Sequence, residues 1–237
     1  MNLYRFKMHL KNVKLLKTIY EILMKNSEKA KRATARKNNF AVEGNNVIED
    51  IEKVLDEYVP LQNRYFLDFG GLLGVIRSGK LIKWDNDVDY GIIIDESFSW
   101  SDLEKYLLSK GYEKKKQFKF NNMITEQNYE KNGVGVDIFA HYLTNKGSLC
   151  YCYYRKNGHI YNDRYEMHVM QFYTTRLDNT SLFTGEDMKV HIPNNVEKYL
   201  ADIYTSDWRI PNPNWVAGSG PTCTKLGDEF VAHLEEF

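Results

Sequence analysis

The stretch Phe66–Asp89 reads FLDFGGLLGVIRSGKLIKWDNDVD, and the interpretation of the whole chain starts from it. The apolar-alternating run Tyr65–Phe69 predicts a strand. Gly70 and Gly71 follow, where the backbone can turn sharply and approach a ligand without a Cβ in the way. Leu72–Ile76 predicts a short helix, whose free N–H groups would point at whatever lies beside the glycines. The stretch therefore begins with a predicted phosphate-binding turn.

Asp85, Asp87 and Asp89 close the same stretch at a spacing of two residues. Side chains on an extended strand alternate between faces, so all three carboxylates are expected on one face. Bunched carboxylates repel one another unless a cation neutralises them, and oxygen ligands suit Mg²⁺ or Mn²⁺. A glycine turn beside such a cluster indicates phosphoryl or nucleotidyl transfer.

A third acid for this cluster is expected from another part of the chain. Asp137 lies within the predicted core strand Val134–Leu143, where a lone charge is costly unless it is paired or bound to a metal. Pairing with a buried Arg or Lys is the alternative for this residue alone. The Asp-x-Asp pattern and the two glycines favour the metal.

Charge is unevenly distributed along a chain whose formal net charge is zero. Residues 1–40 contain eleven Lys and Arg against two Glu, a net charge of +9, so residues 41–237 carry −9. Apolar residues from Leu3 to Leu23 recur at intervals of three and four, which predicts a basic amphipathic helix. Its polar face is interpreted as solvated, with contact to an anionic membrane surface or a polyanionic glycan as the alternative. We assign residues 1–40 to this helix and a connector, and 41–237 to one catalytic domain.

Helices and strands are both predicted after residue 41. Val47–Tyr58 and residues 102–109 are predicted helices, and residues 112–130 and 149–175 are predicted hairpins. A last helix is expected after residue 223. The pattern favours one mixed α/β (α+β) domain.

Two segments resemble a known family. They are Asp68–Arg77 (DFGGLLGVIR) followed by Ile82–Asp89 (IKWDNDVD), and Val136–Phe139 (VDIF). These motifs resemble the LicD family of phosphocholine transferases, which has fukutin-type transferases as distant relatives and lies in the polymerase-beta-type nucleotidyltransferase superfamily. The tail from Val190 to Pro211 is similar to the closing region of the family. This chain departs from the family at three positions: Gly71 stands where Thr or Ser is usual, Ser78 where His is usual, and Asn86 where Asp is usual.

The resemblance implies a fold and roles for individual residues. The implied fold is a nucleotidyltransferase-type mixed β-sheet flanked by helices. Asp87, Asp89 and Asp137 are expected to hold Mg²⁺ or Mn²⁺ and to carry catalysis, and Asp137 is also expected to accept the proton of the incoming hydroxyl. Contacts to the donor and its phosphates are expected from Gly70, Gly71, Arg77, Lys83 and Asp85.

The implied activity is Mg²⁺-dependent transfer of a phosphoalcohol group, phosphocholine above all, from a CDP-activated donor such as CDP-choline. The expected acceptor is a sugar hydroxyl of a cell-surface glycan (lipopolysaccharide, teichoic acid or capsule), and CMP is released. A lipid-linked carbohydrate is included among the expected acceptors. No nucleic-acid partner is expected. Two alternatives remain open: a nucleotidyltransferase that adds NMP to a small molecule, protein or RNA end, and a non-catalytic scaffold of the same fold.

Further features bear on compartment and cofactors. Three cysteines do not form a disulfide framework, and no apolar stretch has the length needed to cross a bilayer. We therefore expect a cytoplasmic protein, peripheral at the inner membrane face if the basic helix binds lipid. The histidines and Cys150-x-Cys152 lack the spacing of zinc ligands, so no structural zinc is expected. The tyrosines of residues 151–165 are interpreted as strand packing, with a cation–π cage for a quaternary ammonium as the alternative.

Overall fold

A computed structural model describes residues 28–186 and 188–237. Its helices are α1 (Glu28–Glu57), α2 (Phe69–Ser78), α3 (Trp100–Ser109) and α4 (Val196–Ile203), with a 3₁₀ turn at Val59–Leu61. Its strands are β1 (Tyr65–Leu67), β2 (Asp87–Ile94), β3 (Glu113–Phe120), β4 (Met123–Lys131), β5 (Val134–Thr144), β6 (Gly147–Tyr154), β7 (Glu166–Thr174), β8 (Thr180–Thr184), β9 (Lys189–Pro193), β10 (Cys223–Lys225) and β11 (Val231–Glu236). None of these helices is long and apolar enough to span a membrane.

The described chain is mostly β, and the predicted helix-flanked nucleotidyltransferase-type α/β sheet is wrong. Strands β5, β4, β3, β11, β7 and β6 pair in that order and close into a six-stranded antiparallel barrel. The ring closes at β5, which pairs with β4 over Val134–Phe139 and with β6 over His141–Thr144. Strands β2, β1 and β10 extend this sheet, and the described helices number only four.

The last strand explains much of this difference. The segment predicted as a closing helix forms β11, which pairs with β3 over His233–Glu236 and with β7 over Val231–His233. Without β11, β3 and β7 would be open sheet edges, and their backbone groups would need other partners. Because this one segment was predicted as a helix, the closure of the barrel was not predicted.

Local turn chemistry accounts for the predicted hairpin over residues 112–130. Strands β3 and β4 are joined at Asn121 and Asn122, whose φ angles of 50° and 62° lie in the left-handed region. Asparagine tolerates this region better than most residues, and a right-handed twisted hairpin requires it in a two-residue turn. The predicted hairpin over residues 149–175 is the antiparallel pair β6 and β7, joined by the longer loop 155–165.

Helix α1 runs without a break from Glu28 to Glu57, through the predicted connector and past residue 40. The amphipathic helix predicted over residues 1–25 lies outside the described residues. The second half of α1 packs its apolar face, which includes Val47, Ile51 and Leu55, into the core. This half of the helix covers β2, β5 and β9.

A buried carboxylate on α1 ties the helix to three strands. Glu52 is 6% exposed and accepts hydrogen bonds from the hydroxyl of Tyr65 on β1 (3.2 Å) and that of Tyr90 on β2 (2.8 Å). It also bonds the backbone N–H of His191 on β9 (3.1 Å) and the Nδ1 atom of that ring (2.7 Å). Because these partners come from separate elements, Glu52 fixes the position of α1 against the sheet.

Replacing Glu52 with Ala is expected to lower the free energy of unfolding by about 3 kcal/mol or more, because the buried hydroxyls and imidazole lose their acceptor. Glu49→Ala, an exposed change on the same helix, is the control and is expected to alter stability by less than about 0.5 kcal/mol. Urea unfolding followed by circular dichroism measures both. Equal losses in the two variants would contradict the role given to Glu52.

The His191–Glu52 contact also predicts a pH dependence of stability. Burial lowers the pKa of His191, but the hydrogen bond and charge of Glu52, with the charge of Asp56, raise it above its ordinary value of 6.5. A raised folded-state pKa adds stability that is complete below the unfolded-state pKa and is lost as pH rises through the folded-state value. The stability difference between the wild type and His191→Gln is therefore expected to shrink as pH rises from 6 through neutrality. Parallel stability-against-pH curves would contradict this.

Candidate active site

The glycine turn lies at the N-terminus of α2, directly after β1. Asp68 caps the helix by accepting a hydrogen bond from the N–H of Phe69 (2.7 Å). Phe69 has a φ of 40°, a left-handed conformation that is rare for a bulky residue and is found where the backbone is held for function. A Cβ at Gly70 would lie 2.9 Å from Oδ2 of Asp85, so a larger residue would press on that carboxylate. The N-terminus of α2 at Gly70 therefore lies beside Asp85.

Asp68 connects this turn to the rest of the site. Its side chain is fully buried and also accepts hydrogen bonds from the hydroxyl of Tyr199 (2.6 Å) and from Nε2 of His141 (2.9 Å). Burial lowers the pKa of His141, but the Cys150 thiol and the Asp68 carboxylate raise it to about 10. The backbone N–H of Asp68 bonds to the carbonyl of Asp89 (2.8 Å). Asp68 thus positions the glycine turn against the acidic strand.

The three predicted acids lie on two neighbouring strands. Strands β2 and β5 run parallel, with Asp89 opposite Asp137 and Asp87 opposite Gly135. Side chains of residues two apart on a strand share a face, so Asp87, Asp89 and Asp137 project to the same side of the sheet. Burial, followed by repulsion from neighbouring acids, raises the pKa of Asp89 well above its ordinary value and that of Asp137 to about 7.

Glu126 on β4 is a fourth acid of the cluster, and it was not predicted. It is 5% exposed and lines the cleft, and burial together with the charge of Asp137 raises its pKa well above the usual range. Asn128 lies opposite Asp137 in the β4–β5 register and donates a hydrogen bond from Nδ2 to Glu126 (2.9 Å). The buried Oδ1 atom of Asn128 accepts no hydrogen bond from any residue in the described ranges. This oxygen atom lies next to a group of carboxylates and, with no hydrogen bond to accept from the described residues, is a candidate metal ligand.

Three basic side chains oppose this negative charge from the periphery. Arg36 of α1 lowers the pKa of Asp87 and Asp137, although burial still raises both. Lys116 lowers the pKa of Asp137 and Glu126, again less than burial raises it. Burial and the charge of Asp87 raise the pKa of Asp85 to about 6 against the opposing charge of Arg77. The basic side chains therefore do not neutralise the acids of the cluster, as expected of a site that binds a cation.

These groups surround a cleft of about 1000 Å³ between the barrel and α2. Of the predicted site residues, Gly70, Arg77, Asp85 and Asp89 line it. Asp87 and Asp137 are not among the lining residues, although they lie on the same face of the β2–β5 pair as Asp89. The two remaining residues lie differently: Gly71 is buried, with Leu67 where its Cβ would be, and Lys83 is exposed and outside the lining.

The irregular segment 203–218 covers one side of the cleft. Tyr204 and Trp215 pack their rings with centroids 5.3 Å apart, and Trp208, which is buried, lies between them in sequence. Burial and the charges of Asp89, Asp68 and Asp85 raise the pKa of Tyr204 well above its ordinary value. The whole lining is rich in aromatic rings: Phe69, Trp84, Phe118, Phe139, Tyr153, Phe172, Tyr204, Trp208 and Trp215.

The donor set of the cleft fits a hard divalent cation, which Asp87, Asp89 and Asp137 would hold, with the free Asn128 oxygen nearby. The carboxylate oxygens of these three acids do not all lie within 4.8 Å of one another, however. Within residues 28–186 and 188–237, the three metal-ligating atoms that all lie within 4.8 Å of one another belong to His159, His168 and Asp228.

Three curated relatives are similar to this chain, and each is described as ribitol-5-phosphate transferase FKTN. The proteins of Macaca fascicularis and Homo sapiens are 26% and 25% identical to it over 154 residues, which is 64% of this chain and 30% of theirs. The Mus musculus protein is 26% identical over 160 residues, which is 66% of this chain and 32% of that relative. The chain thus spans about a third of the length of these relatives.

A family model described as LicD/FKTN/FKRP, nucleotidyltransferase domain, matches residues 62–195. This range is more than half of the chain and includes β1 to β9 with the glycine turn and all four acids of the cluster. The predicted resemblance to the LicD family is confirmed. The chain belongs to the LicD/FKTN/FKRP family.

Proposed function

We propose that the protein is a Mg²⁺-dependent transferase that moves a phosphoalcohol group from a CDP-activated donor to a sugar hydroxyl of a glycan. One observation carries the proposal. Asp89 of β2 lies opposite Asp137 of the adjacent parallel strand β5 and lines a cleft that is also lined by Gly70 at the N-terminus of α2. Phosphoryl transfer requires this combination, because the reaction depends on positioning and on neutralising phosphate charge.

The cleft residues have distinct roles in this reaction. The N–H groups at Gly70 bind a phosphate of the donor, and Arg77, which also lines the cleft, adds a positive charge. Asp87, Asp89 and Asp137 would hold Mg²⁺, which neutralises charge on the diphosphate when it is bound.

The acceptor oxygen attacks the phosphorus that carries the alcohol. A new P–O bond to the sugar forms, the P–O bond to CMP breaks, and CMP leaves with the bonding electrons. The incoming hydroxyl must lose its proton to a nearby base. Asp137 is the predicted acceptor of that proton, and Glu126 lines the cleft as a second carboxylate able to take it.

Phosphocholine is the group that we propose is transferred, although the relatives are named for ribitol-5-phosphate. Aromatic rings dominate the cleft lining, and a quaternary ammonium is attracted to their faces. Asp85, Asp89 and Asp207 add negative charge to the same lining. The tyrosines of the β6 strand contribute Tyr153 to this surface.

Asp89→Asn is expected to lower the rate of transfer from CDP-choline by on the order of 100-fold or more, because it removes the carboxylate that lies opposite Asp137 in the β2–β5 register and lines the cleft. Glu96→Gln, an exposed change just beyond the other end of β2, is the control and should keep the wild-type rate. Release of CMP with Mg²⁺ present measures both. A wild-type rate in Asp89→Asn would refute the proposed site.

The same assay separates the alternatives. Each NTP and each CDP-alcohol is supplied in turn, and the released product is identified. Pyrophosphate from an NTP would instead indicate nucleotidyl transfer. Binding of neither Mg²⁺ with nucleotide nor a CDP-alcohol, measured by calorimetry, would leave the non-catalytic scaffold.

Trp215→Leu is expected to raise the KM for CDP-choline by roughly tenfold, the size of one cation–π contact, without a matching change for CDP-ribitol. The second donor is the internal control, because a general disturbance of the segment 203–218 would affect both donors alike. Steady-state kinetics with both donors measures the effect. An equal rise in both KM values would contradict recognition of the ammonium group by the aromatic lining.

A further inference from the structure

A second group of metal-ligating side chains lies outside the cleft, in the loops that end the barrel strands. His159 belongs to the loop between β6 and β7, His168 to β7 itself and Asp228 to the loop between β10 and β11. One ligating atom from each lies within 4.8 Å of the other two. We propose that these three residues form a zinc site that joins the two loops where β11 closes the barrel.

His168 has the surroundings of a metal ligand. It is 1% exposed, its Nδ1 atom is 2.6 Å from the hydroxyl of Tyr161, and its Nε2 atom is 3.1 Å from Oδ1 of Asp228. A hydrogen bond to one ring nitrogen orients the imidazole and directs the other nitrogen to the metal, as in known zinc sites.

His159 approaches the same point from the loop. Its Nδ1 atom is 3.9 Å from Oδ2 of Asp228, and the centroid of its ring is 4.5 Å from that of His168 with the planes nearly perpendicular. Two imidazole nitrogens and one carboxylate oxygen are the ligand types of mononuclear Zn²⁺ sites, with a fourth position left for water. The side chain of His159 is 27% exposed, so an ion can reach the site from solvent.

Lys156 is placed where a cation would bind Asp228. Its Nζ atom is 2.7 Å from Oδ1 and 3.0 Å from Oδ2 of that carboxylate. The ammonium group neutralises Asp228 and therefore competes with a metal ion for it. Both side chains are about half exposed, so Lys156 can swing into solvent at little cost.

The location suggests what the site does. His168 is paired in register with Val231 of β11, and Asp228 lies three residues before that strand begins. A metal ion bound to both would hold the start of β11 against β7, the pairing that the chain must make last in sequence to close the barrel. The metal ion would therefore stabilise the closure of the barrel, and the site does not depend on the proposed transferase activity.

The experiment uses the full chain with no polyhistidine tag, stripped of metal with EDTA and titrated with Zn²⁺ in competition with a chromophoric chelator. We expect one Zn²⁺ per chain and a rise in melting temperature of several degrees at saturation. Co²⁺ in place of Zn²⁺ is expected to give the visible absorption of a four-coordinate ion. The titration is repeated in Asp89→Asn, because the carboxylates of the cleft also bind divalent cations.

Variants distinguish this site from general metal binding. His159→Gln and Asp228→Asn, both on loops, are expected to weaken Zn²⁺ binding by on the order of 100-fold. His233→Gln, an exposed histidine on β11, should change nothing. Lys156→Gln is expected to bind Zn²⁺ more tightly than the wild type, because it removes the competing ammonium group.

Two results would overturn the proposal. One is the absence of a Zn²⁺ ion that binds equally well to the wild type and to Asp89→Asn, both shown to be folded by circular dichroism. The other is unchanged affinity in both His159→Gln and Asp228→Asn.

Discussion

The parallel pairing of β2 with β5 is the constraint on which the rest of the molecule depends. It sets Asp89 directly opposite Asp137, with Asp87 on the same face. Two carboxylates held as neighbours in a partly buried place destabilise the fold unless protons or a cation neutralise them. The surrounding barrel and α1 supply enough apolar burial to hold the two strands in register against that repulsion. The core of the protein thus stabilises an arrangement that the acids alone would not adopt.

Asp68 makes this arrangement and the glycine turn a single unit. It is buried, yet its oxygens accept hydrogen bonds from Phe69, Tyr199 and His141. Its backbone N–H is bonded to Asp89 at the same time. A displacement of α2 would therefore move the acidic strand, and the reverse also holds. For the proposed reaction, this coupling fixes the distance between the group that binds phosphate and the group that binds metal, which is how positioning lowers a barrier.

What could be predicted from the sequence was local, and what could not was long-range. The glycine turn, the strand with alternating acids and the hairpin at Asn121 and Asn122 each have their signal within a few residues. The closure of the barrel depends on β11, whose partners on β3 are more than a hundred residues earlier in the chain. Glu126 was missed for the same reason, because only the pairing of β4 with β5 brings it to Asp137. Asp68 had a signal that was not used: it is an acid placed between the apolar residues Leu67 and Phe69.

The division between local and long-range features also bears on the substrate. The family match ends at residue 195, before α4, the segment 203–218 and β11. The acids and the glycine turn therefore lie within the range that the family model matches, whereas Tyr204, Trp208 and Trp215 lie beyond it. In the proposed reaction, the acids and the glycine turn serve the phosphoryl transfer, and the residues that cover the cleft select the alcohol. A relative's named substrate therefore says more about the acids of this chain than about the aromatic residues of its cleft.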